Sequence, residues 1–340
     1  MNAPHTPSNA RPPSGPTEPG ARRTPQFTQV WREDHAATRA ELLRGLTAPV
    51  AFASPKFLYD ALGSRLFEAI TELPEYYPTR TEAAIFKAHG AAMAEAACAD
   101  GPIGSFIDLG AGNCSKALSL FPVLAPQRYV AVDISVDFLR EALAQVQRQH
   151  PRLDVSGIGL DFSSRLQMPP RSVQGRPVFF YAGSSIGNFT PDEAVPFLTS
   201  VREQAGGGGL LIGVDLVKPT EILEPAYDDA LGVTAAFNLN LLLHLNRLIG
   251  ADFLPRDWRH VALFDSPHSR IEMHLEARHA LTVAWPGGER RFEAGERIHT
   301  ENSCKYTVPR FEALLQQSGF AHGRHWLDER GWFAVFWAPA

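Results

Sequence analysis

Three short clusters hold the residues most able to do chemistry. The stretch Asp108-Leu-Gly110-Ala-Gly112-Asn-Cys-Ser-Lys116 follows an apolar run and opens a helical segment. Glycines at such a place allow a tight turn and let a ligand approach the backbone closely. Asp133 lies 23 residues beyond Gly110 at the end of a second apolar run, where a carboxylate accepts hydrogen bonds from ribose hydroxyls. Asp161-Phe162 follows a third run and offers a carboxylate to an adenine amino group and a ring to its face. Together Gly110, Gly112, Asp133, Asp161 and Phe162 outline a pocket for adenosine. A dinucleotide fold would show Gly-x-Gly-x-x-Gly, and Ser115 stands in the third small position. Asp-x-Gly-x-Gly is instead the pattern of S-adenosylmethionine (SAM) methyltransferases. Lys116 could pair with the methionine carboxylate of that cofactor; an exposed helix lysine is the plainer alternative.

These clusters need a sheet to align them. Ser105–Leu109, Tyr129–Val132, Val155–Gly159, Val178–Ala182 and Leu210–Leu216 are short apolar runs separated by helical stretches, the alternation of βαβ units around a buried parallel sheet. The expected fold is therefore α/β, a Rossmann-like methyltransferase sheet. Upstream, helix spacing runs through Ala36–Leu46 and Leu58–Ile70, a turn covers Leu73–Thr79, and a long helix is predicted over Thr81–Ala99. After Lys218-Pro219 the alternation stops. Pro225–Gly250 reads as mainly helical, with Leu241, Leu242, Leu245 and Leu248 on one stripe. Val261–Phe264, Arg270–Ala277 and Ala280–Trp285 then alternate with period two, as half-buried strands do. A helix over Pro309–Ser318 and strands near His325–Leu327 and Trp332–Trp337 close the chain. The reading is a smaller α+β substrate-binding domain from residues 26–80 and 218–303, and a SAM-dependent methyltransferase domain from 81–217 and 304–340. Residues 1–25 hold seven of the 27 prolines and almost no large apolar group, which predicts a disordered tail.

Composition narrows the function classes. The 340 residues are 44% hydrophobic, enough for a large core. A net charge of −5 without a basic run disfavours a nucleic-acid partner. Three widely spaced cysteines, Cys98, Cys114 and Cys304, suit neither a disulfide framework nor a zinc knuckle. The 12 histidines show no HxH or HExxH spacing, so no metal is expected. No stretch approaches the roughly 18 apolar residues that cross a bilayer, and the N-terminus lacks a signal-peptide pattern. A cytoplasmic protein is expected, with no membrane partner and a monomer as the working state.

Longer stretches carry a resemblance. Lys56–Phe67 (KFLYDALGSRLF), Leu73–Glu82 (LPEYYPTRTE), Gly183–Asn188 (GSSIGN), Asp215–Lys218 (DLVK), Ala226–Asn238, Ile271–Met273 and Thr300–Lys305 (TENSCK) resemble the histidine Nα-methyltransferases of ergothioneine biosynthesis, from about residue 27 to the end. The resemblance implies trimethylation of L-histidine to hercynine, with SAM as cofactor and the amino acid held between two domains. It implies SAM contacts at Gly110, Gly112, Lys116, Asp133, Asp161 and Phe162. Substrate contacts are implied at Tyr59, Phe67, Tyr76, Gly183, Asn188, Tyr227, Met273, Glu301 and Ser303, with Tyr59 and Asn188 as the catalytic residues.

The residue types suit those places. Asn188 and the Tyr227 hydroxyl are donors for an α-carboxylate. Glu301 and Ser303, two apart on an extended segment, point to one side and match the two imidazole nitrogens. Met273 lies on a strand alternation and faces the core, the resemblance implying that it packs on the ring, and Tyr59, Phe67 and Tyr76 can surround an ammonium. Cys114 and Cys304 lie near both sites, yet methyl transfer from a sulfonium needs no protein nucleophile. Tyr59, or water beside it, is the candidate proton acceptor. A methyltransferase for another aromatic amino acid, a non-catalytic SAM-binding module and a nicotinamide oxidoreductase are the competing readings.

Overall fold

The computed structural model describes residues 23–30, 34–162 and 166–340. Among them the strands are β1 (Gln26–Gln29), β2 (Ala51–Phe52), β3 (Ser105–Leu109), β4 (Arg128–Asp133), β5 (Asp154–Gly159), β6 (Pro177–Tyr181), β7 (Gly209–Asp215), β8 (Trp258–Asp265), β9 (Arg270–Ala277), β10 (Leu281–Trp285), β11 (Gly288–Phe292), β12 (Arg297–Cys304), β13 (Arg324–Leu327) and β14 (Phe333–Pro339). The helices are α1 (His35–Thr47), α2 (Ala61–Thr71), α3 (Tyr77–Ala97), α4 (Ser115–Leu124), α5 (Val136–Gln149), α6 (Pro191–Gln204), α7 (Thr220–Leu223), α8 (Val233–Ile249) and α9 (Val308–Gln317).

One sheet runs in the order β1-β5-β4-β3-β6-β7-β14-β13. Its first six strands are parallel; β14 pairs antiparallel with β7 and β13 antiparallel with β14. Strands β3, β6 and β7 are buried along their whole length, which is why they read as unbroken apolar runs. Helices α3, α4 and α5 contribute to the core on one face, α6 and α9 to the core on the other. This is the expected Rossmann-like architecture, and its parallel strands all end at one edge, where such sheets hold ligands.

The second sheet, β2-β12-β9-β8, has a core of its own with α1, α2 and α8, and the β10–β11 hairpin adds Val283, Trp285 and Phe292 to it. Leu241, Leu242 and Leu245 of α8 are buried there and Leu248 packs at the margin.

Three expectations need correction. Gln26–Gln29, assigned to the substrate domain, is the edge strand of the large sheet, in parallel register with Ser156–Gly159. Two glutamines and a threonine hide such a strand from any apolar count; it is held because Phe27 lies on the bare backbone of Gly157, where a Cβ would meet its ring at 2.7 Å. The long helix starts at Tyr77 rather than Thr81, with Pro78 in its first turn where the missing N–H costs nothing. It packs on the large sheet, so the 80/81 boundary falls inside an element. Strands β2 and β11 were not foreseen, being short or largely exposed. Most of the proline-rich tail, residues 1–22, lies outside the described residues. Among the described residues no helix is long and apolar enough to cross a membrane, and no group of three metal-ligating side chains converges.

Candidate active site

At the carboxyl edge of the large sheet lies a cleft of about 430 Å³ lined by all six residues expected to hold the cofactor. Gly110 and Gly112 adopt φ of +69° and +52°, conformations that favour glycine. The turn is pinned from below, as the Gly110 N–H donates to the Val132 carbonyl at 2.8 Å. The Asp133 carboxylate accepts from Gly112 N–H at 2.9 Å and Ser135 N–H at 2.8 Å, which fixes it at the end of β4. Burial raises its pKa against the pull of those N–H groups. Asp108 sits beneath, holding the Tyr129 hydroxyl at 2.7 Å, and burial pushes its carboxyl up to about 7. Phe162 lines the cleft, stacked on Phe197 with centroids 6.0 Å apart and edge-on to Tyr181 at 6.1 Å.

Two of these residues have partners that the sequence did not suggest. Asp161 forms an ion pair with Lys56 at 3.1 Å, and Lys56 also donates to Glu41 at 2.8 Å. Lys116 lies 2.8 Å from the fully buried carboxylate of Glu82, whose other oxygen accepts from Gly183 N–H at 2.8 Å. Glu82 therefore ties the cofactor loop to the Gly183 turn. At Gly183 φ is +74°, a conformation that favours glycine, and a Cβ would come 2.7 Å from the Lys116 ammonium and displace it.

A smaller cavity of about 40 Å³ adjoins the cleft, and all nine residues expected to hold a substrate line it: Tyr59, Phe67, Tyr76, Gly183, Asn188, Tyr227, Met273, Glu301 and Ser303. Five of them, Tyr59, Phe67, Tyr76, Gly183 and Asn188, also line the cleft. The β12 strand reaches this cavity through an irregularity. His299 pairs with His274, but Glu301 pairs with Met273, so Thr300 is an extra residue in the ladder. Such a bulge moves the following side chains to the opposite face. Without it Glu301 and Ser303 would share the outer face with His299; with it they share the inner face with Met273 and Ile271.

Aromatic rings form one wall. Tyr59 meets Phe67 and Phe237 edge-on at 5.6 and 5.5 Å, Phe67 meets Tyr76 at 6.1 Å, and Tyr76 meets Tyr227 at 6.2 Å. Against this wall the Glu301 carboxyl has an oxygen, Oε2, buried without a hydrogen bond, and burial pushes its pKa up to about 7 against the pull of Lys305. The Thr234 hydroxyl, at the start of α8, is likewise buried and unpartnered at this cavity. Phe237 and Thr234 escaped the sequence reading, since neither breaks the pattern of an ordinary helix.

Behind the cavity runs a buried polar cluster, also missed. Asp215, at the end of β7, lies 2.6 Å from the Lys218 ammonium and 2.7 Å from that of Lys305, and accepts from the Tyr77 hydroxyl at 2.6 Å. The two ammoniums hold its carboxyl below the usual range despite burial. Lys305 donates onward to Ser303 at 2.8 Å and Tyr227 at 2.9 Å, whose hydroxyls are 2.7 Å apart.

A family described as histidine-specific, SAM-dependent methyltransferases matches residues 38–340. The chain belongs to this family. It is 40% identical over 306 residues to the histidine N-alpha-methyltransferase of Mycolicibacterium smegmatis, covering 88% of this chain and 94% of the relative. It is 38% identical over 308 residues to the protein of the same name from Mycobacterium tuberculosis, with the same coverage. To ergothioneine biosynthesis protein 1 of Neurospora crassa it is 31% identical over 284 residues, 79% of this chain and 31% of that longer protein. The protein is thus a SAM-dependent methyltransferase, and the cleft suits that cofactor. A Cβ at Gly112 would meet nothing within 4 Å, so the loop backbone faces open space, with the fixed carboxylate of Asp133 beside it.

Burial, with Glu301 next in effect, holds the Tyr59 phenol well above its ordinary pKa. A group that stays protonated cannot take a proton from an ammonium. The expected result for Tyr59→Phe is therefore a pH–rate profile of unchanged shape between about pH 6 and 9, whatever happens to the rate. A missing or displaced limb would restore Tyr59 as the proton acceptor.

Proposed function

We propose that this methyltransferase transfers three methyl groups in succession from SAM to the α-nitrogen of L-histidine, giving hercynine in ergothioneine biosynthesis. The observation that carries the reading is the meeting of two cavities at Tyr59, Phe67, Tyr76, Gly183 and Asn188, one floored by the glycine loop and Asp133 and one ending in Tyr227, Met273, Glu301 and Ser303. In this reading Gly110, Gly112, Asp133, Asp161 and Phe162 hold the adenosine, and Lys116 faces the methionine carboxylate with the donors Glu82 leaves it. Bound there, SAM supplies a methyl group already activated by its sulfonium.

The protein's task is then placement. Asn188 and Tyr227 hold the α-carboxylate, Glu301 and Ser303 bracket the imidazole, and Met273 packs on it. The Asn188 amide has no hydrogen-bond partner among the described residues and stands where the two cavities join, which suits a group that orients the amine. The amine proton leaves through water beside Tyr59.

The rings of Tyr59, Phe67 and Tyr76 favour a methylated ammonium, an attraction of roughly 0.5–2 kcal/mol. Dimethylhistidine is accordingly expected to bind at least as tightly as histidine; calorimetry giving the opposite order would exclude an aromatic cage. The reading as a whole is tested by incubating the protein with SAM and the twenty amino acids and following mass gains. Histidine should gain three methyl groups. Methylation of a different amino acid would keep the chemistry and overturn the roles of Glu301 and Ser303, and no transfer to any of the twenty would overturn the reading of the small cavity as an amino-acid site.

A further inference from the structure

Lys305 is fully buried, and its ammonium has three hydrogens and three oxygen neighbours: Asp215 at 2.7 Å, Ser303 at 2.8 Å and Tyr227 at 2.9 Å. Both hydroxyl oxygens therefore accept from Lys305, and each keeps its own proton. One of those protons closes the 2.7 Å contact between Tyr227 and Ser303. A single O–H is left to point into the cavity. Charge adds to this polarity. Asp215 carries one negative charge between two ammoniums, those of Lys218 and Lys305, so the cluster as a whole is cationic. Lys218 and Tyr77 close its far side, through the 2.9 Å bond from Lys218 to the Tyr77 hydroxyl. The hydroxyl pair is the side that faces the cavity.

We propose that Lys305 is a positioning residue for the substrate's carboxylate: it turns the Tyr227–Ser303 pair so that one polarised O–H faces the amino-acid cavity, and its charge makes that O–H prefer an anion to a neutral acceptor. This rests on the reading of the small cavity as an amino-acid site. A hydroxyl that already accepts from a cation donates more strongly, and hydrogen bonds between charged and polar groups are the stronger class. Lys305 itself never touches the ligand. A purely structural lysine, joining the end of β12 to the end of β7, would have the same contacts, so the test must read ligand preference rather than activity alone.

The experiment compares histidine, histidinamide and histamine as ligands of the protein saturated with S-adenosylhomocysteine. The three share a ring and an amine and differ in bearing a carboxylate, a neutral amide or neither. The wild type is expected to favour histidine over both by about 30-fold or more, the scale of a hydrogen bond to a charged group. In Lys305→Met that preference should shrink at least about tenfold, through loss of histidine affinity, while histamine affinity stays within about threefold. Equal weakening of all three ligands, or an undiminished preference, would overturn the proposal. If Lys305→Met does not fold, Lys305→Gln, which keeps a polar end without the charge, is read in the same way, and equal binding of histidine and histidinamide by the wild type would by itself overturn the proposal. A protein that methylates histidine yet shows either contrary result loses only this inference. One that neither binds nor methylates histidine loses the proposed substrate, and the carboxylate role with it.

Discussion

Ligand-free Glu301→Gln is expected to be more stable than the wild type at pH 8 and a poorer enzyme for histidine. The cause is the cost of an ionised carboxylate in the small cavity, which pushes Glu301 from the ordinary value of 4.5 up to about 7. The sign follows from proton counts. Between those two values the unfolded chain gives up its proton before the folded protein does, so stability falls as pH rises. Below about pH 4.5 the group is neutral in both states and costs nothing; above about 7 the full penalty is present. A shift of this size corresponds to about 3 kcal/mol. Glutamine cannot ionise, so its gain in melting temperature should be several degrees at pH 8 and vanish near pH 4.5. Loss of the imidazole partner should meanwhile cost about 1–3 kcal/mol in kcat/KM for histidine. A melting curve with no pH-dependent gain would remove the strained carboxylate, and undiminished histidine turnover would remove its part in ring recognition.

The second large effect lies behind the cavity. Asp215→Ala leaves the ammoniums of Lys218 and Lys305 buried without a counter-charge, and breaking a buried pair in this way costs about 3–5 kcal/mol. The deficit should narrow as pH rises, because an uncompensated buried ammonium sheds its proton readily. Lys218 is already drawn down to about 8 by burial even with Asp215 present. Below that value it is charged in the folded and unfolded states alike and its penalty is constant. Between about 8 and its ordinary 10.5 only the unfolded chain holds the proton, so stability rises with pH. Thermal melts of the wild type and Asp215→Ala from pH 7 to 10 should converge. A variant equal to the wild type at pH 7 would show that the cluster bears no net strain.

What could be read from the sequence follows from what each element does. Strands β3, β6 and β7 are buried on both faces and their composition says so. The glycine loop follows β3, Asp133 ends β4 and Phe162 follows β5, so their placement needed only the order of elements. The β12 bulge could not be anticipated, because one extra threonine leaves the local alternation intact while reversing which face Glu301 presents. The Asp215–Lys218–Lys305 cluster was equally hidden. Its members sit in the stretches that carried the resemblance, yet a buried lysine looks like a surface one until the fold supplies its partners. Lys56 and Glu82 were missed for the same reason, as each finds its oxygen or ammonium across a distant turn.

The path of the chain between the two sheets has a consequence for how the protein must form. The chain opens with β1 on the large sheet, leaves to build α1, β2 and α2, and returns through α3. It departs again after β7 and comes back at Tyr306, which bridges to Leu216. Ala51 pairs with Ile298, and Asp215 pairs with Phe333, so neither sheet can be completed until nearly all of the polypeptide is available. Pairings of such long sequence separation place this topology among the slow folders. On a ribosome the early strand β1 would find β5 before half of the chain had been made, whereas β2 would have to wait for β12, near its end. Cutting the gene between the two sheets would yield fragments that each lack a strand held by the other.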